Sequence, residues 1–131
     1  MFKLTNKIEI IIPKQDNNGK EIDNVLILDE LETITGIAGG CTVTDVKGQW
    51  WSEDEQRIMQ DDNINYEWYY DKDMQDVIDK QNLLHGLSII TSVLIEQYNQ
   101  EAVSIKIDGS LYIIDENDLV LLSYELYKLM F

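Results

Sequence analysis

From Asp73 to Tyr98 the side chains Met74, Val77, Ile78, Leu84, Leu87, Ile90, Leu94 and Tyr98 recur mostly at three- and four-residue steps. That spacing winds onto one face of a helix. A one-sided helix of this length needs a broad apolar partner, and strand-like stretches stand on both sides of it in the chain. Gly86 interrupts the pattern, so either the helix bends there or another element packs close to it. Asp71 or Asp73 suits the cap, with Asp76 near the positive end of the dipole.

The other elements follow in order. Lys7–Ile12 (KIEIII) is β-branched and reads as a strand closed by Pro13. Asn18-Gly19 supplies a tight turn. The steps of Ile22, Val25, Leu26, Leu28, Leu31 and Ile34 predict a helix from Glu21 to about Thr35, ended by Gly36 or by Gly39-Gly40. Thr42–Trp50 alternates like a half-buried strand. Ser52–Glu55 then turns, Arg57–Met59 returns, and Asp61-Asp62-Asn63 turns again into the aromatic strand Ile64–Tyr70. Ala102–Ile107 and Leu111–Ile114 flank the hairpin turn Asp108-Gly109. Glu116–Leu129 forms a last helix with Asp115 as its cap and Leu119, Leu122, Leu126 and Leu129 on one face.

The order β-α-β-β-α-β-β-α predicts an α+β fold of the ferredoxin-like, split βαβ kind. The expectation is one antiparallel sheet with helices on one face, plus a C-terminal helix, in a single domain spanning 1–131. The sheet's second face then stays open for dimerisation or binding.

Charge is the second constraint. The chain has 25 Asp and Glu against 10 Lys and Arg, a net charge of −15. Such a chain repels nucleic acid and anionic membrane and attracts a basic protein surface. The longest apolar stretch is far shorter than a membrane span of roughly 20 residues. No secretory signal opens the chain, and the single cysteine, Cys41, suits a reducing compartment, so the expectation is cytoplasmic, in a host cell.

The densest acidity lies between Glu53 and Asp79, where ten carboxylates face only Arg57 and Lys72, a net −8. A row of carboxylates at the phosphate spacing of DNA occupies a basic cleft in its place, provided that folding brings the row onto one face. All three tryptophans lie nearby. Trp50 and Trp51 are adjacent, so on a strand only one can join the core, and the other lies on the far face as a contact anchor. The candidate partner-binding residues are therefore Trp50, Trp51, Glu53, Asp54, Glu55, Asp61, Asp62, Glu67 and Trp68.

Other chemistry finds little support. Asp61, Asn63 and Asn65 alternate like oxygen ligands, but an EF-hand needs Gly where Tyr66 stands and Glu where Lys72 stands. Gly39-Gly40 leads from helix to strand, opposite to a phosphate loop. Cys41 and His85, the only thiol and the only histidine, are 44 positions apart with a helix between them. No catalytic residue, metal or cofactor is expected.

Gly39-Gly40-Cys41-Thr42, then Gly48-Gln49-Trp50, then Gln100-Glu101-Ala102-Val103 form a pattern over most of the chain. With the opening strand, it resembles small proteins carried by phages and plasmids of low-GC Gram-positive bacteria. The resemblance implies an anti-defence setting such as that of anti-CRISPR inhibitors, and no residue role is carried over from it. The expected function is a non-enzymatic acidic interaction protein of a mobile element. It would inhibit a nucleic-acid-handling host defence enzyme, in the anti-CRISPR or DNA-mimic manner, by occupying a basic groove. The alternative is a small-molecule-binding or regulatory ferredoxin-like dimer. In that case the open sheet face forms the interface and Trp50 or Trp51 lines a pocket.

Overall fold

Strand β1 (Asn6–Pro13) sets the architecture by its alternation. Ile8, Ile10 and Ile12 are fully buried on one side, while Lys7, Glu9 and Ile11 occupy the other. In the computed structural model, which describes residues 1–131, β1 is hydrogen-bonded along both edges. A short turn at Val25–Ile27 leads into α1 (Leu28–Ala38), followed by β2 (Thr42–Ser52) and β3 (Arg57–Tyr70). Next come α2 (Val77–Glu96), β4 (Val103–Ile107), β5 (Ser110–Ile114), a 3-10 turn at Glu116–Leu121 and α3 (Leu122–Met130).

The sheet order is β2-β3-β1-β4-β5, with every neighbouring pair antiparallel. β3 therefore lies between the parallel strands β1 and β2, and β1 lies between β3 and β4. This is the split βαβ arrangement of a ferredoxin-like fold, as the element order implies. All three helices pack into one core with the isoleucines of β1, through Leu31 and Ile34, Leu83, Leu87, Ile90 and Leu94, and Leu122, Leu126 and Met130. The other sheet face carries no element.

Trp68 and Tyr70 tie β3 to the helices. Trp68 is fully buried and its indole N–H donates to Thr35 Oγ1 of α1 at 2.9 Å. The Tyr70 hydroxyl donates to the Met130 carbonyl at 2.9 Å, holding the end of α3 against the sheet, and burial raises its pKa above the ordinary phenol value.

Several boundaries differ from the sequence reading. The first helix begins at Leu28 rather than Glu21, because Asn24 takes a left-handed φ of 60° and Asp23 accepts the Val25 N–H at 3.2 Å. Short polar side chains that bond the local backbone compete with helix in this way. Gly39, at φ 93°, closes α1. The expected turn at Asp61-Asp62-Asn63 does not exist: these residues pair with Gly48, Lys47 and Val46 inside one continuous 14-residue strand. The cap of α2 is Asp76, whose Oδ1 accepts from Ile78 N–H at 2.9 Å and Asp79 N–H at 3.1 Å. Val77 and Ile78, expected on the packed face, lie exposed in that first turn. Asp115 caps the tail as expected, but a 3-10 turn precedes α3, and Leu129 is exposed while Met130 is buried.

Gly86 is explained by close packing. A Cβ there would lie 3.2 Å from Ile34 Cγ1 and 3.3 Å from Cδ1, so glycine lets α1 approach α2. Gly86→Val should therefore lower the unfolding free energy by about 1–3 kcal/mol through overpacking. In an Ile34→Ala background most of that loss should vanish. A double-mutant cycle by urea unfolding checks this, and equal losses in both backgrounds would remove the contact as the cause.

Candidate functional site on the open sheet face

The pleat sorts every strand residue onto one of two faces. From the register, the open face carries Lys7, Glu9, Ile11 and Pro13 of β1 beside Tyr69, Glu67, Asn65 and Asn63 of β3. Next to these stand Thr42, Thr44, Val46, Gly48 and Trp50 of β2, and across β1 stand Ser104 and Lys106 of β4. Leu111 and Ile113 of β5 close the outer side.

This face is polar and half-buried at its centre, while Thr42, Thr44, Trp50, Tyr69, Leu111 and Ile113 around it are exposed. Lys7 Nζ lies 3.4 Å from a Glu67 oxygen and 3.9 Å from Glu9, and these two carboxylates, Glu9 foremost, raise its pKa. Asn65 donates to Glu9 Oε1 at 3.1 Å, while its own Oδ1 is buried and meets no donor within the chain. Asn63 is buried and donates to Asp61 Oδ1 at 3.2 Å. A Cβ on Gly48 would collide with that Asp61 carboxylate, so the glycine makes room for it across β2. Buried polar groups without partners are uncommon and call for an explanation.

At the Asn63 end, a depression of about 240 Å³ opens between β2, β3 and the approach to β4. Trp50, Asp61 and Asn63 line one side, Gln100 and Ser104 the other, and Ile11 the floor. Trp50 presents a large planar surface, and the side-chain amides offer both donors and acceptors.

Beyond the Lys14 N–H to Asp62 carbonyl bond, 3.1 Å, β2 and β3 continue without a third strand. They form an arm whose two faces are both apolar. Trp50 is paired with Met59, and Trp51 with Ile58. Trp50, Trp51 and Ile58 remain 53, 50 and 54% exposed. Glu53, Asp54 and Glu55 form the acidic turn at its tip, with Arg57 3.1 Å from Glu55.

The nine nominated residues thus separate. Trp50, Asp61 and Glu67 share the open face. Trp51 and Asp62 point to the opposite face, and Glu53, Asp54 and Glu55 sit at the tip. Trp68 is a correction: it is core, because its register partner Ile8 points at the helices. The acidic run as a whole is not one surface either. Asp71, Asp73, Asp76 and Asp79 lie at the far end of β3, whose 14 residues span about 45 Å at roughly 3.3 Å each. Asn63, Asn65, Gly48, Glu9 and Gln100 were missed as site residues. Their one sequence signal is the Asp61-x-Asn63-x-Asn65 alternation, which does share a face.

No family model and no curated protein matches the chain. Among solved structures it is similar to a phage SAM lyase in complex with S-methyl-5'-thioadenosine, with a TM-score of 0.58 at 13% identity over 89% of this chain and 96% of that one. It is also similar to a phage SAM lyase in the apo state, with a TM-score of 0.51 at 15% identity over 88% and 94%. At these identities the likeness is one of fold.

Cys41 and His85 have separate surroundings. The thiol lies by Thr35 and Glu67, whereas His85 lines a shallow hollow with Glu30 and Thr33. Burial pushes the thiol above its ordinary value of 9.0, which keeps it protonated at neutral pH. Cys41 should therefore react with an aromatic disulfide more slowly than free cysteine at pH 8, and faster as pH rises through and beyond that value. A rapid reaction near pH 7 would instead indicate an activated thiolate.

Proposed function

We propose that the chain binds a small molecule with a 5'-sulfur-substituted adenosine, thioether or sulfonium, in the depression at the base of the arm. The observation that carries this reading is the open-face site itself. A half-exposed Trp50 ring faces Gln100 and Ser104 across a hollow floored by Ile11, with buried Asn63 and the unpaired Asn65 Oδ1 close by. Pockets of this kind join one apolar surface with a few fixed polar groups. In this reading Trp50 stacks on a purine, Asn63 and Gln100 bond its edge, and Asp61 faces ribose hydroxyls or a sulfonium charge. The S-methyl-5'-thioadenosine held by the similarly folded phage SAM lyase supplies the ligand class.

The test is titration of the protein with S-methyl-5'-thioadenosine and with SAM, followed by tryptophan emission and calorimetry. Saturable binding is expected, and Trp50→Ala should weaken it by about tenfold or more, equivalent to about 1.4 kcal/mol. Absence of saturable binding by both ligands would sink the reading. Chromatography of the same mixture separates binding from turnover. A non-enzymatic protein returns SAM intact, and release of S-methyl-5'-thioadenosine would make it a catalyst.

A second reading is favoured by the arm. A two-sided apolar ribbon with an acidic tip suits insertion into a basic-rimmed groove, the role of an acidic inhibitor of a nucleic-acid-handling defence enzyme. Aromatic side chains would anchor such a contact and carboxylates would steer it. Affinity capture from host lysate with salt-gradient elution tests this. A nucleic-acid-binding protein released as salt rises is expected, and it should be lost with Glu53→Lys, Asp54→Lys and Glu55→Lys. Retention of the same protein by the triple variant would leave the tip a solvated turn.

A further inference from the structure

The two edges of the sheet differ. β2 exposes Asp45, Lys47 and Gly48 along its outer edge, charges and a glycine of the kind that discourage strand addition. β5, the other edge, reads Ser110-Leu111-Tyr112-Ile113-Ile114 and carries no charge. Its two-residue turn, Asp108-Gly109, has φ of 50° and 86°, which makes Ile107 and Ser110 the hydrogen-bonded pair that closes the hairpin. Counting along the antiparallel ladder, Leu111 and Ile113 then direct their N–H and C=O groups away from β4.

The space beside this edge is largely apolar. On the open face Leu111 and Ile113 are 53 and 68% exposed. On the helical face a groove of about 520 Å³ runs between β5 and α3, lined by Tyr112, Leu121, Leu126 and Leu129 with the carboxylates of Asp118 and Glu125. Acidic residues therefore gather at one end of the strand, where Asp115, Glu116 and Asp118 follow Ile114. Asp108, at the other end, turns to β1 instead, accepting from the Lys7 N–H at 2.8 Å and the Asn6 amide at 3.0 Å.

We propose that the β5 edge is a strand-addition site for an extended polypeptide segment with an uncharged core of four or five residues and Lys or Arg beside the acidic end of the strand. Main-chain hydrogen bonds to Leu111 and Ile113 supply affinity, and alternate side chains enter the groove beside α3. The basic end meets Asp118 and Glu125 of the groove and the Asp115–Asp118 cluster. A second copy of β5 fits less well, because the stretch from Asp108 to Asp118 carries no basic residue to set against these carboxylates.

The test is fluorescence anisotropy of a labelled peptide, Lys-Lys-Val-Thr-Val-Thr-Val-Lys-Lys, with the full chain at low salt. Saturable binding is expected. The same peptide N-methylated at alternate residues should bind about tenfold or more weakly, since it loses ladder bonds and keeps its charge. Ile113→Pro should have the same effect, because it removes an outward N–H without touching the β4 ladder. Its circular dichroism should match that of the parent. Equal binding of the methylated peptide would show attraction to the acidic chain alone and overturn the proposal. Absence of binding would also overturn it, as would a dimer of the chain that Ile113→Pro dissociates and the peptide does not compete with.

Discussion

Everything in this fold depends on β1 being paired along both edges. A strand so placed cannot slip, because a one-residue shift would carry Ile8, Ile10 and Ile12 to the open side and bring Lys7 and Glu9 into the core. That fixed parity passes through eight register pairs to β3, and from β3 through eleven more to β2. It therefore decides, far from β1, that Trp68 is core and that Trp50 faces outward. The adjacent tryptophans are assigned by a strand that neither of them touches in sequence.

This explains what the sequence could and could not reveal. Elements with local signals were legible: the β-branched alternation of Lys7–Ile12, the Asp108-Gly109 turn, the Asp115 cap and the long period of α2. Gly86 was legible as a point of bend or close approach, and Ile34 decides between them. The Asp61-Asp62-Asn63 segment was misread because turn-forming residues state a local preference, and cross-strand pairing with β2 overrides it. The face occupied by each tryptophan was not legible at all, since period-two alternation gives parity but not its sign. The same limit hid Asn63 and Asn65. Their side chains gain meaning only once Asn65 is known to stand over Glu9 and Asn63 beside Gly48.

Charge follows the same division. On the open face Lys7, Arg57 and Lys106 balance Glu9, Asp61 and Glu67, so the whole net charge of −15 lies on the helices, loops and opposite sheet face. The tip carboxylates and those at the start of α2 are separated by most of the length of β3. With screening over about 10 Å at 0.1 M salt, they act as separate patches rather than one field. A long contiguous acidic sequence therefore does not make a long acidic surface. The locally neutral face can accept a ligand or chain on its shape and hydrogen bonding, with little opposition from the rest of the molecule.

The depression on that face takes its walls from two differently supported parts of the sheet. Ile11 belongs to the doubly paired strand and Ser104 to β4 beside it, whereas Gly48, Trp50 and Asp61 belong to the base of the arm. A two-stranded ribbon is marginal by itself and takes its order from the sheet it leaves. In the proposed readings, a molecule in the hollow would touch both the sheet and the arm, and a partner at the tip would touch the same arm. Any coupling between those two events would be reciprocal, with Trp50 and Asp61 standing between them.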